Sequence, residues 1–256
     1  MTNHEFHAEP THTPSRRDAE TELGRLTVPY AGQPRMRLTI TSGLANARVR
    51  VDPDATELVA IDCGEGTRPR LCVSDSELRV SWPWPTTVGA WLRAALAGEH
   101  PDIEVVLHPA VEWSLRIRGG ISRFEADLAS GNLAQLEISG GVSDARLDLP
   151  PPGAVVPIRI SGGVSDLALR RPAGTGVALA VSGGVSGLDL DDQGFGAIGG
   201  TAHLSSGRVQ GDMPRYAVEI SGGVSGLHIV PRSASLDVDR SFAMTAGSET
   251  SVPLAG

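Results

Sequence analysis

A seven-residue motif recurs along the chain at a nearly constant interval. It reads Ile/Val-Ser-Gly-Gly-Val-Ser-Asp/Gly, and its clear copies begin at Ile138, Ile160, Val181 and Ile220. Looser copies begin at Ile40, Ile117 and Ala197. From 117 to 181 the copies follow one another every 21 or 22 residues. A fixed period of this length is typical of solenoid proteins, in which each repeat is one supersecondary unit.

The residues that follow each motif alternate between apolar and polar side chains. Leu167 and Leu169 are apolar after the second clear copy, and Asp189 and Asp191 are polar after the third. This period of two is typical of a strand with one buried face. Because a unit of about 21 residues cannot bury that face alone, the units are expected to stack. The sequence thus predicts an all-β, parallel β-solenoid; an antiparallel meander is the alternative.

The paired glycines of the motif are predicted to form structural corners between strands. Glycine permits φ > 0 and sharp changes of direction, and stacked coils would place equivalent corners about 4.8 Å apart. The glycines assigned to this corner repeat are Gly119, Gly120, Gly140, Gly141, Gly162, Gly163, Gly183, Gly184, Gly222 and Gly223.

The predicted organisation is one β-solenoid domain over residues 25–240. It follows a disordered polar tail at 1–24, and residues 241–256 form a C-terminal cap or a frayed tail. Irregular coils are expected at 35–116 and regular coils at 117–230, and two short runs of Pro and Gly, at 150–153 and 172–174, mark turns.

An insert at residues 82–98 interrupts the irregular coils. It begins with Trp-Pro-Trp-Pro, and a helix is predicted from Thr86 to Gly98 because apolar residues recur there at spacings of three and four. The helix could cover a flank or an end of the solenoid. The alternative is a docking element, with membrane contact weakly supported because Arg93 is its only positive charge. The candidate docking residues are Trp82, Trp84, Trp91 and Leu92.

The sequence offers little support for catalytic or metal chemistry. The two cysteines, Cys63 and Cys72, are interpreted as small buried residues or as a disulfide pair, since neither a Cys-x-x-Cys pattern nor a neighbouring histidine supports metal binding. The motif serines recur at matching positions in several copies, whereas a catalytic serine is normally single and has its own base. Neither a phosphate loop nor a calcium turn is present. We therefore predict a protein that is not an enzyme and has no cofactor.

Acidic pairs leave one enzymatic alternative open, which the sequence favours least. Asp127 with Asp148, and Asp189 with its neighbours Asp191 and Asp192, could supply the two carboxylates of a carbohydrate-active β-helix enzyme. These side chains alternate with apolar residues, however, and fit a solvated face.

The charge and the termini restrict the partner and the location. A formal net charge of −8 with no cluster of Lys and Arg argues against nucleic acid. The N-terminus is polar, unlike a secretory signal, and no stretch of about 18 apolar residues could span a membrane. We expect a cytoplasmic protein.

The repeat, the Pro-Pro-Gly turn and the segment from Tyr216 to Gly223 resemble a bacterial, actinobacterial-type domain family labelled "putative adhesin". The resemblance covers about residues 35–230. It implies a right-handed parallel β-helix and carries no catalytic residues. By analogy of fold, similar repeats occur in membrane-stress proteins, and bactofilins polymerise through a comparable solenoid. The predicted function is a non-catalytic scaffold or protein-interaction module that contacts a protein partner or self-associates end to end. The alternative is a surface adhesin or polymer-binding module.

Overall fold

A computed structural model describes residues 20–22, 25–41, 44–63, 69–81, 102–207, 211 and 213–232. Within these ranges the chain is all-β. Its strands are β1 Glu20–Glu22, β2 Arg25–Pro29, β3 Arg35–Thr41, β4 Leu44–Val51, β5 Glu57–Cys63, β6 Arg70–Val73, β7 Glu77–Ser81, β8 Asp102–Leu107, β9 Glu112–Arg118, β10 Ile121–Asp127, β11 Asn132–Ser139, β12 Val142–Asp148, β13 Val155–Ile160, β14 Val164–Arg171, β15 Gly176–Val181, β16 Val185–Leu190, β17 Gln193–Ile198, β18 Ala202–Ser206, β19 Arg215–Ile220 and β20 Val224–Pro231. The predicted tails and the predicted insert at 82–98 lie outside the described residues, apart from residues 20–22 of the N-terminal tail.

The strands form two mixed, open sheets. Sheet A has 11 strands in the order β1-β2-β5-β8-β4-β10-β12-β14-β20-β16-β17, and sheet B has nine in the order β18-β15-β19-β13-β11-β9-β3-β7-β6. A strand of sheet B and the strand of sheet A that follows it make one coil. Among the described residues, seven coils lie side by side and pair in parallel, in the order β7–β8, β3–β4, β9–β10, β11–β12, β13–β14, β19–β20 and β15–β16.

The core lies between the two sheets and consists of in-register rows of aliphatic side chains. One row in sheet B runs through Ile138, Ile160, Ile220 and Val181, each at most 1% exposed. Each buried side chain of this size stabilises the fold by about 1.5–3 kcal/mol relative to an exposed one. The alternation read from the sequence therefore identifies the inward face of these strands.

The spatial order of the coils differs from their order in the sequence. The coil β19–β20 lies between β13–β14 and β15–β16, so that Val224 pairs with Val164 on one side and Val185 on the other. Val181 and Ile220, which begin consecutive clear copies 39 residues apart, therefore lie on directly adjacent strands.

The same rearrangement occurs near the N-terminus. Ile40 pairs directly with Ile117 and also with Val80. The motif copies at Ile40 and Ile117, which are 77 residues apart in the sequence, thus lie on neighbouring strands. The coil β7–β8 therefore lies on the outer side of β3–β4, although it follows β3–β4 in the sequence.

Reversed strands flank the parallel coils at both ends, which corrects the expectation of parallel pairing throughout. β17 and β18 run antiparallel to β16 and β15. At the opposite end, β5 and β6 run antiparallel to β8 and β7. The weak motif copy at Ala197, which is out of phase in the sequence, lies at the corner of the reversed pair β17 and β18. Its altered phase follows from the reversed direction of the chain.

Candidate functional site

The corners between sheet B and sheet A align into a column along the stack. The first glycine of each motif packs against its counterpart in the next coil. A Cβ on Gly162 would lie 2.1 Å from the carbonyl oxygen of Gly140, and one on Gly222 would lie 2.3 Å from that of Gly162. Contacts under 3.0 Å are essentially never made by real Cβ atoms. These positions therefore require glycine because backbones approach closely.

A left-handed backbone is not the reason for most of these glycines. Of the ten predicted corner glycines, Gly119 alone has a positive φ, of 113°. The positive φ falls instead on the last motif position, at 50° and 53° for Asp144 and Asp166 and 66° and 69° for Gly187 and Gly226. Aspartate and glycine both tolerate this conformation, which explains why they exchange there.

The two serines of the motif have different roles. The first donates its hydroxyl hydrogen bond to a backbone carbonyl of the neighbouring coil, as from Ser182 Oγ to Ile220 O at 3.1 Å and from Ser139 Oγ to Ile117 O at 3.4 Å. The second serine, as at Ser165, is exposed. The first serine thus fastens the corner, and the second is accessible to a ligand.

The second glycine, the valine and the second serine of four coils line a shallow trough of about 700 Å3, here called the corner trough. A Cβ on Gly163 would meet nothing within 4 Å, and the same holds for the second glycine of the other motifs. The valines beneath are buried, with Val164 3% exposed. The trough therefore exposes the glycine backbone and a row of serine hydroxyls at strand spacing. Its lining residues are Gly141, Val142, Ser143, Gly163, Val164, Ser165, Gly184, Val185, Ser186, Ala197, Ile198, Gly199, Gly223, Val224 and Ser225.

A second, more polar groove of about 400 Å3 lies on sheet A near β4, β8 and β10. Its charged side chains are largely paired: Arg48 Nη2 is 2.8 Å from Glu125 Oε2. This hydrogen bond lowers the pKa of Glu125 and raises that of Arg48. This exposed pair joins the neighbouring strands β4 and β10 and contributes less than about 1 kcal/mol to stability.

Asp127 and Asp148, which were singled out in the sequence, are neighbours in register, with Arg50 on the far side of Asp127 and Arg170 on the far side of Asp148. Arg170 forms an ion pair with Asp148, whereas Arg50 binds Asp52 and Glu104. The row thus places two adjacent carboxylates between two guanidinium groups.

Asp189 Oδ2 lies 2.8 Å from His228 Nδ1 in the adjacent coil. Of the described residues, no group of three or more His, Cys, Asp or Glu could hold a metal ion.

A buried arginine is the polar group that the sequence reasoning missed. Arg171 follows Arg170, so it takes the level that Leu149 occupies in the preceding coil, and its side chain is 4% exposed. Arg171 Nη2 extends past the intervening coil β19–β20 and contacts both carboxylate oxygens of Asp191, at 2.6 and 2.7 Å. Ser206 donates a hydrogen bond to the same carboxylate. The sequence pattern that could have identified this buried arginine is its place in the row that Leu128 and Leu149 occupy in the preceding coils. This cluster ties the reversed end strands to the stack.

The two cysteines are free and lie in different sheets, so the disulfide alternative is not realised. Cys63 is buried, and burial raises the pKa of its thiol to about 11; Cys72 is exposed. The candidate docking residues Trp82, Trp84, Trp91 and Leu92 lie outside the described residues. The described part of the chain contains no helix long and apolar enough to cross a membrane.

These features define the class: an all-β repeat protein whose coils stack side by side. Each coil contributes one strand to each sheet, and the corner between the two strands has a recurring geometry. Comparisons with known proteins agree with that class. Residues 92–170 match the family model described as "N-terminal domain of toast_rack, DUF2154". A crystal structure from Clostridium sporogenes ATCC 15579, described as a "putative cell adhesion protein", is similar in fold with a TM-score of 0.61. It is 17% identical and covers 81% of this chain and 98% of its own. No curated protein matches the chain.

Proposed function

We propose that this protein is a non-catalytic β-solenoid module that binds another protein through the corner trough. The single observation that carries the proposal is the shape of the trough, which continues across four coils instead of closing into a pocket. Small-molecule sites are usually concave and enclosing, whereas an open surface with a regular repeat suits an extended chain. The stack is expected to be right-handed, because crossovers between parallel strands nearly always are.

The charge distribution supports a module without catalytic chemistry. The carboxylates of Glu125 and Asp148 are held by arginines of neighbouring coils. A glycosidase needs one carboxylic acid free to donate a proton, whereas the hydrogen bond from Arg48 lowers the pKa of Glu125 and favours its ionised form. An assay of polysaccharide cleavage with the purified protein is expected to give no products.

The binding proposal is tested with a photo-crosslinking amino acid placed at Ser165 in the trough. The matched control carries the same residue at Glu219, which is exposed on the outer face of sheet B. We expect a protein adduct in the producing cells from position 165 and not from 219. Equal labelling at both positions, or none, would contradict the proposal.

A filling variant gives an independent test. Gly163→Trp places a large side chain over the trough, and the structure has open space for its Cβ. The variant should remain folded, as judged by its thermal unfolding, while the adduct from position 165 disappears. An adduct of undiminished yield would place the contact elsewhere.

A surface adhesin is the second candidate, favoured by the fold that this chain shares with the structure described as a "putative cell adhesion protein". For the first candidate we propose a cytoplasmic location. Treatment of intact cells with protease separates the two: degradation of the protein on intact cells supports the adhesin, and protection until lysis supports the cytoplasmic module.

A further inference from the structure

We propose that two copies of this chain associate head to head through the end of the stack formed by β17 and β18, here called the flush end. The inference rests on the proposed function, since it names one protein partner of the module: a second copy of itself. Four features of this end support it: its geometry, its lack of charge, its incompletely covered core and its compatibility with two-fold symmetry.

The two ends of the stack differ in shape. Beyond the coil β15–β16, each sheet continues by a single strand, β17 in sheet A and β18 in sheet B. Beyond the coil β7–β8, sheet A continues by three strands and sheet B by one. The first end is level across both sheets and the other is stepped. A level end can extend both sheets at once against an identical end, whereas the stepped end cannot.

The edge strands of the flush end lack the charges that usually block association. Exposed edges are commonly protected by Lys, by other charges or by Pro. Neither Gln193–Ile198 nor Ala202–Ser206 contains Asp, Glu, Lys, Arg or Pro. At the stepped end, by contrast, the edge strand β1 contains Glu20 and Glu22, and the edge strand β6 contains Arg70. Within the described part of the chain, β17 pairs with β16 alone and β18 with β15 alone.

The core is incompletely covered at the flush end. Phe195, Ile198, Ala202 and Leu204 pack against the core but are only partly buried, whereas inward residues of the central coils are buried almost completely. A second copy would cover these side chains with their own counterparts and remove apolar surface from water, which favours association.

A two-fold axis perpendicular to both sheets satisfies the remaining constraints. Such an axis pairs β18 with its copy in antiparallel orientation, with Leu204, the central residue of the strand, at the axis. The same axis pairs β17 with its copy. Antiparallel pairing keeps Asp192, next to one end of β17, far from its counterpart. The contact therefore brings no like charges together, although each chain has a net charge of −8.

Sedimentation velocity of the full chain over a range of concentrations tests the inference. We expect a monomer–dimer equilibrium. Ser205→Lys and Ala197→Lys, which place an ammonium group at exposed positions of the two edge strands, should each raise the dimer dissociation constant at least about tenfold. Ser122→Lys is the matched control, because Ser122 is an exposed serine in the central strand β10. It should leave the dissociation constant unchanged.

Three outcomes would overturn the inference. One is a full chain that is strictly monomeric at every concentration. This outcome includes the case in which residues 233–256 cover the end, and protection of the β18 amides from hydrogen exchange in the monomer would identify that case. Another is a dimer that neither edge variant weakens, and the third is a dimer that Ser122→Lys weakens equally. A monomer that still gives the adduct from position 165 would refute the dimer and leave the proposed function standing. Loss of that adduct in a protein that still dimerises would do the reverse.

Discussion

Replacing the first and the second glycine of one motif by alanine should have opposite effects on stability. In Gly162→Ala the new Cβ would lie 2.1 Å from the Gly140 carbonyl oxygen and 2.6 Å from the Gly140 nitrogen. The two coils must separate by about 1 Å to restore an ordinary contact. In Gly163→Ala the new Cβ meets nothing within 4 Å, and the backbone φ is not positive.

The cost of the first substitution can be estimated from the hydrogen bonds beside it. Ser161 N donates to Ile138 O at 2.9 Å, and Val142 N donates to Gly163 O at 3.0 Å. A separation of about 1 Å breaks both, at roughly 1 kcal/mol each, and overpacking adds about 1–3 kcal/mol. We therefore expect Gly162→Ala to lower the free energy of unfolding by about 3–5 kcal/mol. Gly163→Ala should be neutral or raise it by up to about 1 kcal/mol, since alanine reduces the entropy of the unfolded chain.

Urea denaturation followed by circular dichroism measures both values, and thermal unfolding should show a decrease of roughly 10 °C for Gly162→Ala. Gly141→Ala and Gly140→Ala repeat the comparison one coil away, where the first glycine again meets backbone at 2.2 Å and the second meets nothing. The reasoning fails if the two substitutions within a motif destabilise equally, or if Gly162→Ala is tolerated. Either result would mean that the corners of neighbouring coils are not in close contact.

Three further predictions concern side chains. Arg171→Ala should lower the free energy of unfolding by about 3 kcal/mol, because it removes the charged partner of Asp191 and leaves only the hydrogen bond from Ser206; in a urea titration, a loss below about 1 kcal/mol would show that the pair contributes little. Maleimide should label Cys72 in the native protein and Cys63 only after unfolding, as mass spectrometry of the peptides can show; rapid native labelling of both would contradict the burial of Cys63. A hydrogen bond from Thr39 lowers the pKa of Glu77. This carboxylate therefore stabilises the fold above its unfolded pKa of about 4.5, and it stabilises the fold less as pH falls through its lower folded pKa. Glu77→Gln should make the free energy of unfolding less dependent on pH between pH 5 and 3, and an unchanged dependence would argue against that contact.

The inward rows and the corners could be predicted from the sequence because both are properties of a single coil. Alternation around Leu167 and Leu169 requires only that one face be buried, and both side chains are at most 1% exposed. Glycine at position 162 follows from the repeat itself. The predicted reason, a left-handed backbone, was wrong for most of the pairs, because a one-dimensional pattern does not distinguish a strained φ from a close approach between chains. That distinction needs the neighbouring coil.

The order of the coils could not be predicted from the repeat, because the repeat makes the alternatives nearly equivalent. Ile160 would meet a matching aliphatic side chain in Val181 or in Ile220. Outward residues carried some of the missing information. Arg159 pairs with Glu219 at 3.1 Å, whereas sequential stacking would put Ala180 beside it. An exposed pair of this kind contributes less than about 1 kcal/mol, too little to recognise among other charged residues.

Buried polar groups discriminate more strongly between the two orders. In sequential stacking, β15–β16 would lie directly against β13–β14. Asp191 would then be one strand spacing nearer to Arg171, and the observed 2.6 Å contact between the two side chains would lose its geometry. Tyr216 would also move away from Pro150, whose carbonyl now accepts its hydroxyl hydrogen bond in the core. Each unpaired buried group costs about 1–3 kcal/mol. The position of the coil β19–β20 is thus compatible with apolar rows that would accept several neighbours, and it is fixed by two polar contacts that accept only one. The position of the flush end depends on this order of the coils, because the order leaves β15–β16 as the last parallel coil.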